Sequence, residues 1–327
     1  MMNTAVSYPY ADLHCDTLFT AWKEGAEDIF QLRSAMSDVS EILRGGCRLQ
    51  LYAIFMPPLD YPGFPGDEEY IELLYGIFLA TVRKHGDVFA QTLCMKDVAR
   101  NMTEGRASGM LSMEDGRAVQ GRLENIRRFY EMGVRVMGLT WDSANCFGYP
   151  NSLDAEKMEK GLTDFGKESV SFMEELGMLV DVSHLSDGGF RDVARLSRRP
   201  FIASHSNCRA LNPHPRSLTD EMIRTLADHG GVMGLNFYPA FLTQNIKEKA
   251  GTVDALAAQL RHRINVGGLE CAALGTDFDG IEGDLEIPSA GHMPELFDGL
   301  KKRGFTSREL DHIAYLNVER VFRDVIG

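Results

Sequence analysis

Five apolar runs in this chain each end in a residue type that binds divalent metals. They are YADLHCD with His14 and Asp16, MLSMEDG with Glu114, MLVDVSH with His184, FIASHSN with His205, and ALGTDFDG with Asp277. One such run carries little weight. Five, with the ligand always at the C-terminal edge, describe strands that point their ends at one place. An acidic, histidine-bearing pocket of that kind suits Zn²⁺ and hydrolytic chemistry.

The individual signals differ in strength. His14 and Asp16, two apart on one strand, project to the same side and together offer an imidazole nitrogen and a carboxylate oxygen. A lone His-x-Asp is a weak motif, strengthened here by its place at the first strand end. Cys15 between them faces the other way and is expected to pack. Glu114 precedes a turn-like Asp115-Gly116, so on its own it reads better as a turn cap than as a carboxylate bridging two metals. His184 and His205 each close an aliphatic strand on consecutive units, which is stronger, although either alone could be a satisfied core histidine. Together these residues suit two divalent ions held close together, a site that polarises a carbonyl and lowers the pKa of a bridging water. Asp277 then stands opposite as a candidate general base and acid. The other six histidines (His85, His214, His229, His262, His292 and His312) read as surface or packing residues.

Two near-motifs carry no such weight. Gly161 to Lys167 resembles a phosphate-binding loop, but Glu168 follows and no strand precedes it. DFDGIEGDLEI has a calcium-loop flavour, but its glycine is misplaced and Pro288 stands where a glutamate is needed.

The elements that must position these residues alternate along the chain. Candidate strands begin near Tyr10, Cys47, Gly109, Val134, Met178, Phe201, Val232 and Ala272. Helical spacing predicts helices over Glu68–Lys84, Leu123–Met132, Phe165–Leu176, Gly189–Leu196, Thr219–His229, Val253–Val266 and Ser307–Val325. Thr306 and Glu309 have capping-box spacing, as do Ser217 and Asp220. Eight β-then-α units favour one α/β domain over residues 1–327, a (β/α)8 TIM barrel, with a doubly wound open sheet as the alternative. Met56–Asp67, with four prolines and two glycines, reads as a long loop after the second strand.

Composition excludes several classes. The 327 residues are 44% hydrophobic and 25% charged, ordinary for a globular protein. A formal net charge of −13 argues against sequence-independent nucleic-acid binding, which needs basic clusters. No run approaches the ~18 apolar residues of a membrane span, and the N-terminus lacks the pattern of a signal peptide. The six cysteines are scattered without metal-site spacing, which points to free thiols in a reducing cytoplasm.

The set DLHCDT, SMEDG, LVDVSHLS, IASHSNCRALNPHPRSLTD and GTDFDG, in order over nearly the whole chain, closely resembles the membrane (renal) dipeptidase family, the M19 metallopeptidases. The resemblance implies an amidohydrolase-type barrel with a binuclear zinc site that hydrolyses dipeptides, many with a D-residue at the C-terminal position, through attack of a metal-bridging hydroxide. It also implies a homodimer. By that resemblance His14 and Asp16 bind the first zinc, Glu114 bridges both, and His184 and His205 bind the second. Asp277 passes the proton to the leaving amine, and Arg216 holds the substrate carboxylate. Mammalian members carry a histidine that contacts the substrate in a Leu-Thr-His segment. Here the segment reads Leu139-Thr140-Trp141-Asp142, so either Asp142 or Asn145 supplies a polar contact or Trp141 forms an apolar wall. That departure leaves another binuclear-metal amide or ester hydrolase, such as an N-acyl-amino-acid deacylase or lactonase, as the alternative activity. Unlike the mammalian members, the sequence shows neither a signal-peptide pattern nor a C-terminal anchor signal, so a soluble intracellular enzyme is expected.

Overall fold

Strands buried on both faces read as continuous apolar runs rather than alternating ones, and the runs here become a parallel sheet. The computed structural model describes residues 8–242 and 251–327. It contains strands β1 (Tyr10–Asp12), β2 (Cys47–Phe55), β3 (Phe89–Gln91), β4 (Ala107–Glu114), β5 (Val134–Gly138), β6 (Leu179–Asp181), β7 (Ile202–Ala203), β8 (Val232–Leu235) and β9 (Ala272–Leu274). All pair in parallel, in the order β1-β2-β4-β5-β6-β7-β8-β9. Backbone bonds join the two ends of this row. The Leu13 N–H donates to the Leu274 carbonyl at 3.0 Å, and the Asp277 N–H donates to the His14 carbonyl at 3.2 Å. The sheet is therefore the nearly closed eight-stranded (β/α)8 barrel that the alternation predicts, and the open-sheet alternative does not describe it.

The ninth strand is an addition to that expectation. β3 pairs with Ala107–Gly109 at the start of β4, ahead of the point where β5 joins at Leu111. Gly109 makes room for it, since a Cβ there would lie 2.3 Å from the Phe89 ring. Six helices among the described residues also lie outside the periodicity reading: Thr17–Glu24, Val39–Gly45, Met95–Thr103 and Met293–Lys302, with the single turns Ala155–Met158 and Pro239–Leu242. Of the helices expected from the spacing, Asp67–Lys84 and Leu123–Met132 start without a side-chain cap, and the rest start at clear ones. Thr163, Ser186, Thr219 and Thr252 each accept from the backbone N–H three residues on, and Thr306 with Glu309 forms the capping box. The cap before Asp220–Asp228 is Thr219 rather than Ser217. The last helix is not continuous either. A wider π turn over His312–Leu316 separates Ser307–Asp311 from Asn317–Val325. Buried Asn317 then donates to the Leu269 and Ala272 carbonyls, both at 2.8 Å, which ties this helix to the start of β9.

Inside the barrel, Ala11, Leu13, Leu49, Leu51, Met110, Val136, Leu179, Ile202, Val232 and Ala273 form one apolar cluster. Met95 and Val98 from one helix and Val318, Val321, Phe322 and Val325 from the last helix extend it, so the strand N-termini are sealed with hydrocarbon. A second, larger cluster fills the layer between strands and surrounding helices. The polar opening is therefore left at the C-terminal ends of the strands, the face where such barrels carry their sites. Phe55 ends β2, and the proline-rich segment that follows packs Tyr61 against Phe19 and Trp22 before the helix Asp67–Lys84 begins. All six cysteines are free. No helix among the described residues is long and apolar enough to cross a membrane.

Two glycines set how closely the last strands approach one another. A Cβ on Gly234 or on Gly275 would stand 1.8 Å from the Ser204 carbonyl oxygen, a backbone atom that no side-chain rotation can move. Gly234→Ala or Gly275→Ala is expected to destabilise the fold by about 1–3 kcal/mol or more, as for overpacked cores. A lowered urea midpoint with an unchanged slope checks this.

Candidate metal centre and active site

The residues singled out by spacing arrive at the barrel mouth from five segments. β1 stops at Asp12, so His14 and Asp16 are not on a regular strand; only Cys15 bridges across, to Phe278. The expected strand alternation is thus absent, yet the two side chains meet because the chain turns there into the helix Thr17–Glu24. Asp16 is the N-cap residue of that helix but makes no side-chain capping bond, which leaves its carboxylate for the site. Cys15 packs away in the outer layer, with Sγ 3.4 Å from the Leu51 carbonyl. Glu114 is the last residue of β4. His184, His205 and Asp277 lie just beyond β6, β7 and β9. His184 and Asp277 have φ of 71° and 64°, a left-handed conformation that costs a non-glycine residue free energy and clusters at functional sites. Asn151 holds the His184 carbonyl through its backbone and side-chain N–H groups, at 2.7 and 3.1 Å.

The side chains converge tightly. His14 Nε2 lies 3.6 Å from Asp16 Oδ2, 3.2 Å from Glu114 Oε2 and 3.7 Å from Asp277 Oδ1. It is nevertheless buried without a hydrogen-bond partner, and so is Asp16 Oδ1. On the other side, Glu114 Oε1 lies 2.9 Å from His184 Nε2 and 3.5 Å from His205 Nε2, and those two nitrogens are 3.0 Å apart. His14, Asp16 and Glu114 form one group of close donor atoms, and Glu114, His184 and His205 form another. Glu114 belongs to both, one oxygen toward each. Lone-pair atoms that crowd together without partners are the arrangement a divalent cation satisfies, and an N/O donor set free of thiolate is compatible with zinc.

Charge is unevenly shared in the cluster. Burial disfavours the His14 imidazolium, but Glu114 and then Asp16 outweigh it and hold the group well above the usual histidine range. Burial also opposes ionisation of Glu114, yet His14 foremost, then His184 and His205, keep it well below the usual carboxylate range. Burial and then Arg216 push His184 down to about 4; burial and then His14 push His205 well down. Burial, with Asp16 and Glu114 repelling a further negative charge against the attraction of His14, raises Asp277 to about 7.

A further ring of polar residues holds these groups in place. Asp181, the last residue of β6, accepts from the Ser183 and Ser204 N–H groups, each at 2.9 Å, and from the Ser204 hydroxyl. The same Ser204 Oγ is 2.6 Å from His205 Nδ1. This Asp–Ser–His chain orients the ring and leaves Nε2 facing Glu114. Asn236 Nδ2 donates to Asp277 Oδ2 at 2.7 Å. Gly280 closes in from above: a Cβ there would lie 2.1 Å from Asp16 Oδ2 and 2.8 Å from Asp277 Oδ1.

The cluster floors a cavity of about 670 Å³. Buried Arg216 reaches it from the loop after β7, its Nη1 donating to Ser206 Oγ at 2.9 Å and its Nη2 to the His205 carbonyl at 3.0 Å, with Nε free of partners. Trp141 also lines the cavity, edge-on to Phe55 at 4.9 Å and 6.4 Å from the His184 ring, which is the apolar-wall arrangement. Asp142 lines it too, whereas Asn145 turns inward to Asp115 and the Leu139 carbonyl. His214 is a correction to the surface-or-packing reading, since it lines the cavity beside Arg216, whose N–H donates to its Nδ1 at 3.1 Å. Asp181, Ser204, Asn236, Tyr238, Phe19 and Lys23 were not singled out by sequence. Asn236 carries the signal that could have found it, a polar residue closing the apolar run VMGL.

Residues 3–326 match the model of the membrane dipeptidase family, peptidase family M19. The chain belongs to that family. This makes it a metal-dependent dipeptidase, a hydrolase built on the M19 barrel. Among similar sequences, it is 33% identical over 242 residues to an uncharacterized Klebsiella pneumoniae protein from the pqqA 5′ region, covering 71% of this chain and 88% of that one. It is 32% identical over 234 residues to an uncharacterized dipeptidase of Schizosaccharomyces pombe, a match that spans 70% of this chain and 56% of the yeast protein. Among solved structures, a family M19 metallopeptidase described as dipeptidase AC superposes with a TM-score of 0.89 at 25% identity, over 98% of this chain and 99% of that one. A Rhodobacter sphaeroides metallopeptidase, solved with a phosphinate mimic of the dipeptide L-Ala-D-Ala, has the same fold, with a TM-score of 0.89 at 24% identity over 97% of this chain and 99% of that one.

In this M19 dipeptidase, Ser204 supports His205 without touching the other donors. Ser204→Ala is expected to weaken divalent-metal affinity by about 10- to 100-fold while the protein stays folded. Competition with a chromophoric chelator, alongside circular dichroism, measures both.

Proposed function

We propose that the chain is a zinc dipeptidase with two ions per chain, one held by His14 and Asp16, the other by His184 and His205, with Glu114 bridging. The observation that carries this reading is the pair of donor groups that share Glu114. When bound, such ions acidify a water near neutral pH and polarise the scissile carbonyl. The chain's own residues do the rest. Arg216, with N–H groups to spare at the cavity wall, takes the substrate's C-terminal carboxylate in a charge-assisted bond. Asp277 accepts the proton of the attacking water and returns it to the leaving amine. Its Oδ2 is fixed by Asn236, so Oδ1, which faces His14, is the atom that carries the proton. Trp141 and Phe55 wall the cavity with hydrocarbon and exclude bulk water, which strengthens the interaction at Arg216.

The substrate proposed is a dipeptide with a D-residue accepted at the C-terminal position, supported by the dipeptide mimic bound to the Rhodobacter sphaeroides relative of the same fold. A cytoplasmic location is supported by six free thiols. A single domain over residues 1–327 and a homodimer complete the proposal; light scattering tests the latter.

Purified protein is expected to carry about two equivalents of divalent metal by elemental analysis. Chelation should abolish dipeptide hydrolysis and zinc should restore it. Asp277→Asn should lower kcat by roughly 10²- to 10⁴-fold with metal content retained. Arg216→Ala should lower kcat/KM by roughly 30- to 1,000-fold, the loss of one partner of a buried charged pair, again with metal retained. Unaffected turnover in Arg216→Ala would remove it as the carboxylate clamp.

A further inference from the structure

The barrel order determines where the two halves of a bound dipeptide lie. Arg216 follows β7, and in the ring β1-β2-β4-β5-β6-β7-β8-β9 the strand directly across from β7 is β2. β2 ends in Phe55, and the helix Thr17–Glu24 after β1 brings Phe19 and Lys23 to the same side. All of these residues line one cavity with Arg216. A dipeptide with its carboxylate on Arg216 and its scissile carbonyl over Glu114 therefore directs its N-terminal residue toward Phe55, Phe19 and Lys23.

That wall is apolar along its length and cationic at its end. Trp141 meets Phe55 edge-on at 4.9 Å, and Phe55 meets Phe19 edge-on at 5.3 Å. Lys23 Nζ stands over the Phe19 ring, 4.4 Å from its centroid, and makes no ion pair among the described residues. The substrate's own ammonium sits two bonds from the scissile carbonyl carbon, close to the acidic centre. The group that reaches Lys23 is the N-terminal side chain. We infer that Lys23 sets the charge preference for this side chain, favouring an apolar stem that ends in a carboxylate, as in glutamate, over one that ends in an ammonium. Asp142 and Glu282 also line the cavity and are exposed at its mouth, so they act in the opposite sense.

Lys23 also has an ordinary structural use, since a cation in the last turn of a helix complements its dipole. The test therefore reads a substrate ratio, which helix stability does not move. This inference rests on the dipeptidase reading with Arg216 as clamp. The metal-loaded enzyme is assayed for kcat/KM on Glu-Ala, Lys-Ala and Ala-Ala, each with L- and D-alanine at the C-terminus, as wild type, Lys23→Met and Lys23→Glu. Wild type should prefer Glu-Ala to Lys-Ala, Lys23→Met should narrow the preference, and Lys23→Glu should reverse it. The overall change in the ratio should be at least about fivefold, as for several partly exposed charge pairs acting together, and larger at low salt. A ratio that is the same in all three proteins overturns the inference. So does a wild-type preference for Lys-Ala, which would assign the choice to Asp142 and Glu282. Absence of turnover on all three dipeptides, Ala-Ala included, overturns the dipeptidase reading and this inference with it.

Discussion

Everything at the barrel mouth depends on Glu114. One oxygen lies 3.2 Å from His14 and the other 2.9 Å from His184, so a single carboxylate faces both groups of donors. Burying it beside Asp16 and Asp277 is expensive, because each uncompensated buried charge costs on the order of several kcal/mol. The fixed cation nearby, Arg216, bonds a hydroxyl and a carbonyl rather than these carboxylates. The cluster is left with more lone pairs than donors, and a divalent cation is what relieves that excess. The surplus that would destabilise an ordinary core is thus the property that makes the site.

Holding such a cluster requires a scaffold that does not relax. His184 and Asp277 keep left-handed backbone angles because neighbours determine them more than once: Asn151 grips the His184 carbonyl, and the His14 carbonyl and Asn236 grip the two ends of Asp277. The Asp181–Ser204–His205 chain fixes one imidazole, and the Ser204 carbonyl is itself wedged between Gly234 and Gly275. Tight strand packing and ring orientation are therefore the same constraint, seen from the backbone and from the side chain.

The parts of this design that were legible in the sequence are those with a strong local signature. Fully buried strands give apolar runs, and the start of the last helix announces itself by the capping box of Thr306 and Glu309. Charged or imidazole residues at the ends of those runs named the donor cluster, Glu114 included. β3 escaped because its apolar run, Val88 to Ala90, is short and ends in no candidate ligand, and the π turn at His312–Leu316 escaped because one added residue per turn leaves the helical pattern of the flanks intact. The pairing of His14 with Asp16 came from strand alternation, but the strand has ended by then and a turn into a helix brings them together. Ser204 and Asn236 are neutral and common, so only their place beside a histidine and an aspartate distinguishes them. His214 and Lys23 depend on how loops and helices from distant strands lean over the mouth, which is a property of the closed ring and not of any window of sequence.

The division between strand ends and loops also decides what the tryptophan at position 141 can mean. Mammalian members of the family place a histidine there, a group able to donate a hydrogen bond to the substrate. An indole turned edge-on to Phe55 serves mainly as a wall, and Asn145 cannot replace the lost donor because it is tied to Asp115 and the Leu139 carbonyl. In the dipeptidase proposed above, orientation of the scissile carbonyl then falls on the donor cluster and on Arg216. A drier, more apolar wall makes both of those electrostatic contacts stronger than they would be beside a hydrated imidazole. On that proposal the tryptophan exchanges one directional contact for a lower dielectric around the remaining ones, and substrate choice falls to residues lining the half of the cavity across from Arg216.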